Sequence, residues 1–377
     1  MQQIILNSNR LREDMDRILK AEGAENILLV CGTNVRKLAL YGEIREMLKD
    51  YNIVEFSDFS PNPKYEAVVE GVKLFNREQC NFILAIGGGS ALDVAKCIKL
   101  FVKMDPDINY LQQTLSENRI PFMAIPTTAG TGSEATRFAV IYYNGIKQSV
   151  SHESCIPKYV AFIPSVLESL PKYQKKSTLF DALCHALESF WSVNSTEDSK
   201  SCAIEAIDLI LRYHQLYMQN DAIANDKMLE AANLAGKAIN IAQTTAGHAM
   251  CYKLMGLYGI SHGHAAALCV AKLWPYMLTH IDRCVDNRGQ KYLQEMFEEL
   301  AGVMHCQSCD DAVCYFQDLL KGYEMSVPNA GEYSDITLLC DSVNLERMQN
   351  NPIAIEPKDL EMLYRQILNY DLGMEKL

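Results

Sequence analysis

The stretch NFILAIGGGSALDVAKCIKLF, at residues 81–101, decides the fold class. It opens with an apolar run that is typical of a buried strand and ends in a segment with helical periodicity. Between them lie Gly87, Gly88, Gly89 and Ser90. Glycine lets the backbone approach a diphosphate closely, and free N–H groups at a helix N-terminus favour negative charge. This order indicates a nucleotide site, although the four residues alone are equally typical of a plain tight turn.

Short apolar runs alternate with helical segments around this stretch. We predict strands at 27–31, 52–56, 81–86 and 121–126, and helices at 36–50 and 65–78. Such alternation is typical of βαβ units, which form a parallel sheet with helices on both faces. The dipeptide Asn144-Gly145 predicts a hairpin that joins residues 136–143 to 147–151. The sequence thus predicts a Rossmann-like α/β dinucleotide-binding domain over residues 1–166.

Helical periodicity replaces the strand pattern from about residue 165 onward. We predict helical segments at 175–192, 199–218, 226–255, 264–281, 290–305 and 309–322. Pro164 and Pro171 frame a short link before the first of them. The sequence therefore predicts an all-helical metal-binding and substrate domain over residues 167–377.

The composition limits the class of protein. A chain of 377 residues fits two domains of ordinary size. Its 35 Lys and Arg against 47 Asp and Glu give a net charge of −12, which repels nucleic acid and anionic lipid. It has no apolar run of about 18 residues, and its first residues lack the pattern of a secretory signal. We expect a cytoplasmic protein with reduced cysteines, no nucleic-acid partner and no membrane partner.

A second loop rich in glycine and hydroxyl groups follows the strand predicted at 121–126. This segment, PTTAGTGSE at 126–134, carries Thr127, Thr128 and Thr131. Ligands of open α/β sheets bind at the carboxyl ends of the strands, where two such loops can hold one dinucleotide from both sides. The alternative interpretation is a long solvated loop.

The helical half carries one carboxylate and three histidines that could share a metal ion. Asp181 and His185 lie four residues apart, so both project from one helix face, and His248 and His262 lie in later apolar segments. This donor set suits Fe²⁺ or Zn²⁺, and an open coordination position would polarise a carbonyl. A lone histidine in such surroundings is more often a core residue, so the prediction depends on all four together.

Four segments resemble the signature blocks of the iron-dependent, or group III metal-dependent, alcohol dehydrogenases. They are GGGSALDVAK at 87–96, PTTAGTGSEAT at 126–136, DALCHALESF at 181–190 and HAMCYKLMGLYGISHG at 248–263, in the family's order and spacing. The resemblance covers nearly the whole chain. It implies a dehydroquinate-synthase-like fold, NAD(P)H as cofactor, one divalent metal (Fe²⁺ or Zn²⁺) and a homodimer or larger homo-oligomer.

The resemblance assigns a role to each matching position. The metal ligands would be Asp181, His185, His248 and His262. The pyrophosphate would lie on Gly87, Gly88, Gly89 and Ser90, at the start of the helix that carries Asp93. The nicotinamide ribose side would lie along Thr127, Thr128, Thr131 and Lys147.

Two positions depart from the family's pattern. Tyr252 stands where many relatives carry a histidine near the nicotinamide, so the proton would pass through Tyr252, His264 or water. Gly32 stands where NAD-specific members often carry an aspartate that holds the adenosine ribose. Without that carboxylate a 2′-phosphate is not repelled, and Arg36 or Lys37 could pair with it. The resemblance therefore allows NADPH as well as NADH.

Segments outside the general signatures point to the substrate. EATRFAVIY, FWSVNSTEDS, QTTAGHA and HGHAAAL resemble the family's phosphonoacetaldehyde reductases, which make 2-hydroxyethylphosphonate. Such an anion needs basic partners, because an unpaired buried charge is very costly, and the sequence offers Arg137, Lys147, His152 and His264. Arg137 could instead pair with Glu134 or a neighbouring acid. We expect a small anionic aldehyde as substrate, with Tyr252, His264 and Arg137 as catalytic residues.

Three alternative functions stay open. Sulfoacetaldehyde reduction to isethionate needs almost the same pocket. A general short-chain alcohol dehydrogenase or a 4-hydroxybutyrate dehydrogenase would use the same cofactor and metal sites. A dehydroquinate-synthase-like lyase shares the fold, but such enzymes typically bind their metal with a glutamate and two histidines.

Overall fold

The computed structural model describes residues 3–328 and 333–370, which divide into two compact units. The first unit contains the described residues up to Leu170 together with Asn220–Asn233. The second contains Pro171–Gln219 and the described residues from Leu234 onward. The chain thus leaves the first unit a few residues after the predicted boundary at 166/167. The return of 220–233 to that unit is not a feature that the sequence predicts.

The first unit is built on strands and four complete α-helices among its described residues. The strands are β1 (Ile4–Asn7), β2 (Asn26–Cys31), β3 (Asn52–Phe56), β4 (Phe82–Gly87), β5 (Phe122–Pro126), β6 (Phe138–Tyr143), β7 (Ile146–Ser151) and β8 (Tyr159–Phe162). The helices are α1 (Leu11–Ala21), α2 (Ala39–Met47), α3 (Tyr65–Arg77) and α4 (Gly89–Phe101). Six strands form one parallel sheet in the order β1-β8-β5-β4-β2-β3, and β6 pairs with β7 in a separate hairpin.

The central strands of the sheet are its apolar part. β2, β4, β5 and β8 are almost completely buried, as is typical of parallel strands that are covered on both faces. The strands predicted at 27–31, 52–56, 81–86 and 121–126 are confirmed. The sequence does not predict β1 and β8, because each is only four residues long and β1 has two exposed isoleucines, Ile4 and Ile5. Part of the helix predicted at 36–50 is a 3-10 turn, Thr33–Lys37, which precedes α2.

The predicted hairpin is confirmed at β6 and β7. Its turn residues Asn144 and Gly145 both have positive φ angles, 52° and 75°. Two positive φ angles are the mark of a type I′ turn, whose twist matches that of the strands it joins. Asparagine and glycine are the residues that adopt this backbone most readily.

The second unit is helical, which confirms the expected helical half. The helices are α5 (Lys172–Trp191), α6 (Glu197–Met218), α7 (Ala222–Ala242), α8 (Ala246–Tyr258), α9 (His262–Thr279), α10 (Gln290–Val303), α11 (Cys309–Gly322), α12 (Tyr333–Asp341), α13 (Leu345–Met348) and α14 (Pro357–Ile367). Helix α7 begins in the segment that belongs to the first unit. Within the described ranges, every helix is too short or too polar to cross a membrane.

The single helix predicted over 226–255 is wrong, because the chain breaks between α7 and α8. Gln243 has a left-handed φ of 60°, and Thr244 and Thr245 after it are buried. The main-chain N–H and the hydroxyl of Thr245 donate to Glu188 Oε1, at 3.1 and 2.7 Å. Hydrogen bonds to a buried carboxylate thus override the helical periodicity of the sequence here.

Helix α5 runs through the core of the second unit. Every residue from Ser177 to Trp191 is buried, and the helix packs against α6 and α9. The ring centroids of Trp191 and Trp274 lie 5.4 Å apart in this core. Ionisable side chains on so buried a helix are costly unless they have partners. Helix α5 buries several of them, among them Asp181, His185 and Glu188.

Candidate metal centre and cofactor loops

The predicted metal ligands converge inside the second unit. Asp181 and His185 project from α5, His248 lies in the first turn of α8, and His262 is the first residue of α9. The Nε2 atoms of His248, His262 and His185 lie 3.6, 3.8 and 4.0 Å from Asp181 Oδ1. Ligand atoms of Asp181, His248 and His262 all lie within 4.8 Å of one another. His185 adjoins this group, since its ring stacks on His248 with centroids 4.5 Å apart.

Two glycines let the ligand helices approach one another. A Cβ on Gly263 would lie 2.0 Å from the carbonyl oxygen of Ser177 and 2.7 Å from Asp181 Cβ. A Cβ on Gly247 would lie 2.9 Å from Glu188 Oε1. Each glycine directly adjoins a predicted histidine ligand, so the missing side chain is what allows α8 and α9 to bring those ligands against α5.

Glu188 is a further site residue, which the sequence motifs do not single out. It is completely buried on α5, three residues after His185. Its Oε1 accepts hydrogen bonds from the N–H groups of Thr245 and His248, at 3.1 and 3.2 Å, and Oε2 pairs with His248 Nδ1. Because Nδ1 is held in this way, His248 presents Nε2 to Asp181. The signal in the sequence is the spacing, since a residue three after a ligand lies on the same helix face.

The charges of the cluster shift the pKa values of its members. Burial alone would raise the pKa of Asp181, but the imidazoles of His185, His262 and His248 lower it below its usual range. Burial would lower the pKa of His248, but the carboxylates of Glu188 and Asp181 raise it to about 9. The carboxylate is therefore ionised at neutral pH, as metal binding requires, whereas His248 would release a proton when a metal ion binds.

The donor set fits a divalent cation. Asp181 Oδ1 and His248 Nε2 are buried, and neither has a hydrogen-bond partner in the described part of the chain. A buried polar atom without a partner is costly, and one cation would satisfy both atoms. One carboxylate oxygen and imidazole nitrogens are ligands that Fe²⁺ and Zn²⁺ accept. The residues present therefore fit one ion of this class.

The two residues predicted to transfer a proton have different surroundings. Tyr252 follows His248 by one turn of α8, and its ring stacks on His262 with centroids 5.7 Å apart and planes inclined by 11°. His264 is buried, with its Nδ1 3.1 Å from the hydroxyl of Tyr173. Burial lowers the pKa of His264. The structure thus places Tyr252 beside a predicted metal ligand and His264 against Tyr173.

The two predicted cofactor loops meet in the first unit. They follow β4 and β5, which are neighbours in the sheet, and α4 begins between them with Gly89 and Ser90. The Thr127 N–H donates to Gly87 O at 3.0 Å, and a Cβ on Gly88 or Gly89 would lie 3.3 Å from Thr128 or 3.2 Å from Thr131. The glycines and threonines therefore lie side by side at the carboxyl ends of adjacent strands, where sheets of this kind bind ligands.

Asp93 is engaged by groups of the protein itself. Its carboxylate accepts hydrogen bonds from the Ser133 hydroxyl at 2.8 Å and from the Val140 N–H at 3.0 Å. Lys96, completely buried on the same helix, donates to the Ser133 hydroxyl at 3.0 Å and to the Phe138 carbonyl at 2.7 Å. Asp93 and Lys96 thus fasten the hydroxyl loop and the hairpin to α4.

Gly32 follows β2 directly and adjoins open space. A Cβ there would meet nothing within 4 Å. Arg36, in the 3-10 turn that follows, pairs with Glu55 at 2.6 Å and donates to the Ser57 hydroxyl at 2.8 Å. The position therefore has room for a side chain, and Arg36 is paired with Glu55.

Arg137 and Lys147 belong to the hairpin region of the first unit. Arg137 Nη1 lies 3.1 Å from Oε1 of the exposed Glu153, while Glu134 is buried and accepts a hydrogen bond from Asn233. An ion pair with a neighbouring acid is the alternative that the sequence leaves open for Arg137. Lys147 lies on β7.

The chain is similar to known proteins over both halves. Residues 2–164 match the family described as iron-containing alcohol dehydrogenase, and residues 176–368 match the C-terminal part of the Fe-containing alcohol dehydrogenase family. Alcohol dehydrogenase 4 of Schizosaccharomyces pombe is 33% identical over 261 residues, which are 67% of this chain and 62% of that protein. Long-chain-alcohol dehydrogenase 1 of Geobacillus thermodenitrificans is 30% identical over 293 residues, 75% of this chain and 72% of that protein.

The fold is also that of solved structures. A crystal structure of sulfoacetaldehyde reductase from Bifidobacterium kashiwanohense in complex with NAD⁺ matches with a TM-score of 0.86 and 26% identity, over 98% of each chain. The metal cluster and both glycine and threonine loops lie within the residues that match the family. This chain therefore belongs to the iron-containing alcohol dehydrogenase family, whose members are oxidoreductases that act on CH–OH groups.

Proposed function

We propose that this protein reduces a small anionic aldehyde with NAD(P)H, and that phosphonoacetaldehyde, which would give 2-hydroxyethylphosphonate, is the first candidate. The observation that carries the proposal is the cluster of the buried Asp181 and His248 with the half-buried His262, and with His185 beside it. These residues would hold the metal, and a divalent ion in this site supplies a Lewis acid for a carbonyl oxygen.

The loops of the first unit bind the cofactor in this proposal. The N-terminus of α4, at Gly87, Gly88, Gly89 and Ser90, would hold the pyrophosphate. Thr127, Thr128, Thr131 and Lys147 would bind the ribose beside the nicotinamide. Asp93 acts through Ser133, which it holds in place. The nicotinamide held there would supply the hydride for reduction of the carbonyl.

Tyr252 is the favoured proton donor to the product oxygen. Its ring stacks on His262, whereas His264 Nδ1 already engages the hydroxyl of Tyr173. Arg137 is the partner that the sequence suggests for the anionic group, but its guanidinium pairs with Glu153. These roles favour a route in which the proton reaches the product by way of Tyr252 or water.

Two observations favour particular alternatives. The similarity to a sulfoacetaldehyde reductase favours reduction of sulfoacetaldehyde to isethionate. The similarity to a long-chain alcohol dehydrogenase favours an enzyme that does not select for an anion. We also propose that the protein is a homodimer or a larger homo-oligomer, which its molar mass in solution would test.

The test is NAD(P)H oxidation by Fe²⁺-loaded and Zn²⁺-loaded protein. Phosphonoacetaldehyde, sulfoacetaldehyde, succinic semialdehyde and butyraldehyde are compared, each with NADH and NADPH. We expect kcat/KM for one anionic aldehyde to exceed that for butyraldehyde by roughly 10-fold or more. That ratio is what the free energy of one hydrogen bond to a charged group would give. Equal values would identify a general alcohol dehydrogenase. Failure to consume NAD(P)H with any aldehyde would favour the lyase.

A further inference from the structure

Arg347 is a half-buried cation beside Tyr252 in the second unit. It lies on α13, and its guanidinium carbon is 5.9 Å from the centroid of the Tyr252 ring. That ring in turn stacks on His262, with centroids 5.7 Å apart. A single aromatic ring thus separates this guanidinium from a predicted metal ligand.

The position of Arg347 is fixed by hydrogen bonds within the second unit. Its Nη1 donates to the hydroxyl of the buried Thr244, and Asn350 Nδ2 donates to the carbonyl of the same threonine at 3.0 Å. The Asn344 N–H donates to the carbonyl of Ala249 on α8. The segment around α13 is therefore fastened to the helix that carries Tyr252, so the guanidinium is held in place before any ligand binds.

Arg347 differs from the other arginines of this unit in its charge balance. Arg212, Arg283, Arg288 and Arg365 pair with Asp208, Asp359, Asp286 and Glu361 at 2.9, 2.8, 2.6 and 2.9 Å. Within the described residues, no carboxylate lies within ion-pair distance of Arg347. A guanidinium has five N–H donors, and Thr244 accepts from only one of its nitrogens. Among the described residues, the cation is thus fixed in position without a carboxylate partner.

We infer that Arg347, beside Tyr252, binds the anionic group of the substrate. This inference rests on the proposed reduction of an anionic aldehyde and moves the anion-binding role from Arg137 to Arg347. The reason is that Arg137 pairs with Glu153, while Arg347 lies in the unit that holds the predicted metal ligands and has no carboxylate partner among the described residues. A planar guanidinium fork matches two oxygens of a sulfonate, phosphonate or carboxylate.

The inference is tested with Arg347→Met and Arg347→Lys in the full-length, metal-loaded protein. We expect Arg347→Met to raise KM for the preferred anionic aldehyde by roughly 10–100-fold and to leave kcat/KM for butyraldehyde within about 3-fold. Arg347→Lys keeps the charge but loses the fork, so it recovers part of the affinity. Arg212→Met, which removes an exposed arginine paired with Asp208, is the matched control and leaves both aldehydes unaffected.

A second measurement separates anion binding from folding. Ethanesulfonate and ethylphosphonate cannot be reduced, and we expect their competitive inhibition constants to rise in Arg347→Met as KM does. Bound metal per chain and circular dichroism should equal those of the wild type. If Arg347→Met does not fold, the test uses Arg347→Lys instead, for which we expect ethanesulfonate and ethylphosphonate to bind a few-fold more weakly than to the wild type.

The outcomes distinguish this inference from the proposed function. A wild-type protein without any preference for anionic aldehydes overturns the proposed function itself. A wild type that prefers them while Arg347→Met keeps the preference overturns only the role of Arg347. If Arg137→Met instead lost activity on anionic aldehydes alone, Arg137 would be the residue that binds the anionic group. Equal losses on both aldehydes in Arg347→Met would mean that Arg347 acts only on structure.

Discussion

Replacing Glu188 by glutamine should weaken metal binding although the two side chains have nearly the same shape. Oε1 accepts from Thr245 and from the His248 N–H, so the amide oxygen of glutamine must take that place. Its NH₂ group then faces His248 Nδ1, where Oε2 stands now. An N–H at that position requires Nδ1 to accept, which moves the ring proton to Nε2. A protonated Nε2 cannot bind a metal ion.

The expected loss is about 10–100-fold in metal affinity, or about 1.4–2.7 kcal/mol, as is typical of a carboxylate that orients a histidine ligand. The assay is competition for Zn²⁺ between the protein and a chromophoric chelator. Asp359→Asn is the matched control, because Asp359 is a buried carboxylate of the same unit that pairs with Arg283. It should lower thermal stability without changing metal affinity. Wild-type affinity in Glu188→Gln would refute this account of the ligand geometry.

Three further predictions concern packing, pH and cofactor choice. Gly263→Ala should abolish metal binding and lower the free energy of unfolding by about 1–3 kcal/mol or more, because the new Cβ would lie 2.0 Å from a carbonyl oxygen of α5. The control is Gly256→Ala on α8, whose Cβ would meet nothing within 4 Å. Equal metal content in the two variants would contradict this prediction. Burial lowers the pKa of His214 below its ordinary 6.5, so the unfolded chain takes up the proton first and the free energy of unfolding falls as the pH drops through 6.5. In thermal melts of metal-loaded protein, His214→Asn should reduce the dependence of stability on pH, whereas His305→Asn, at an exposed position, should leave it unchanged. If stability varied with pH equally in both variants, His214 would not be the cause. Gly32→Asp should raise KM for NADPH relative to NADH by roughly 10-fold or more, since the new carboxylate would repel a 2′-phosphate, and an unchanged ratio would place the adenosine ribose elsewhere.

Local patterns predict the parts of the molecule in which neighbouring residues decide the structure. The apolar run before Gly87 and the helical periodicity after it specify β4 and α4, and Asn144-Gly145 specifies the hairpin turn. The four-residue spacing of Asp181 and His185 places both on one face of α5. In each case backbone geometry and side-chain period suffice, with no contact from distant residues.

Residues whose roles depend on distant partners escape such patterns. The break before α8 is made by hydrogen bonds from Thr245 to Glu188, more than fifty positions away along the chain. Arg347 becomes notable only when the other arginines of its unit are seen to have carboxylate partners. Arg137 follows a threonine loop in the sequence, but in the structure its guanidinium forms an ion pair with Glu153. Tertiary contacts, rather than propensity, decide these positions.

The most direct test of the central claim is turnover measured against bound metal. Metal-free protein is titrated with Fe²⁺ without oxygen, and NAD(P)H oxidation by the preferred aldehyde is followed together with metal content. The cluster of Asp181, His185, His248 and His262 predicts that turnover rises in proportion to bound metal, up to a single ion per chain, and that His262→Ala loses metal and turnover together. Turnover by the metal-free protein, or by His262→Ala without bound metal, would contradict it.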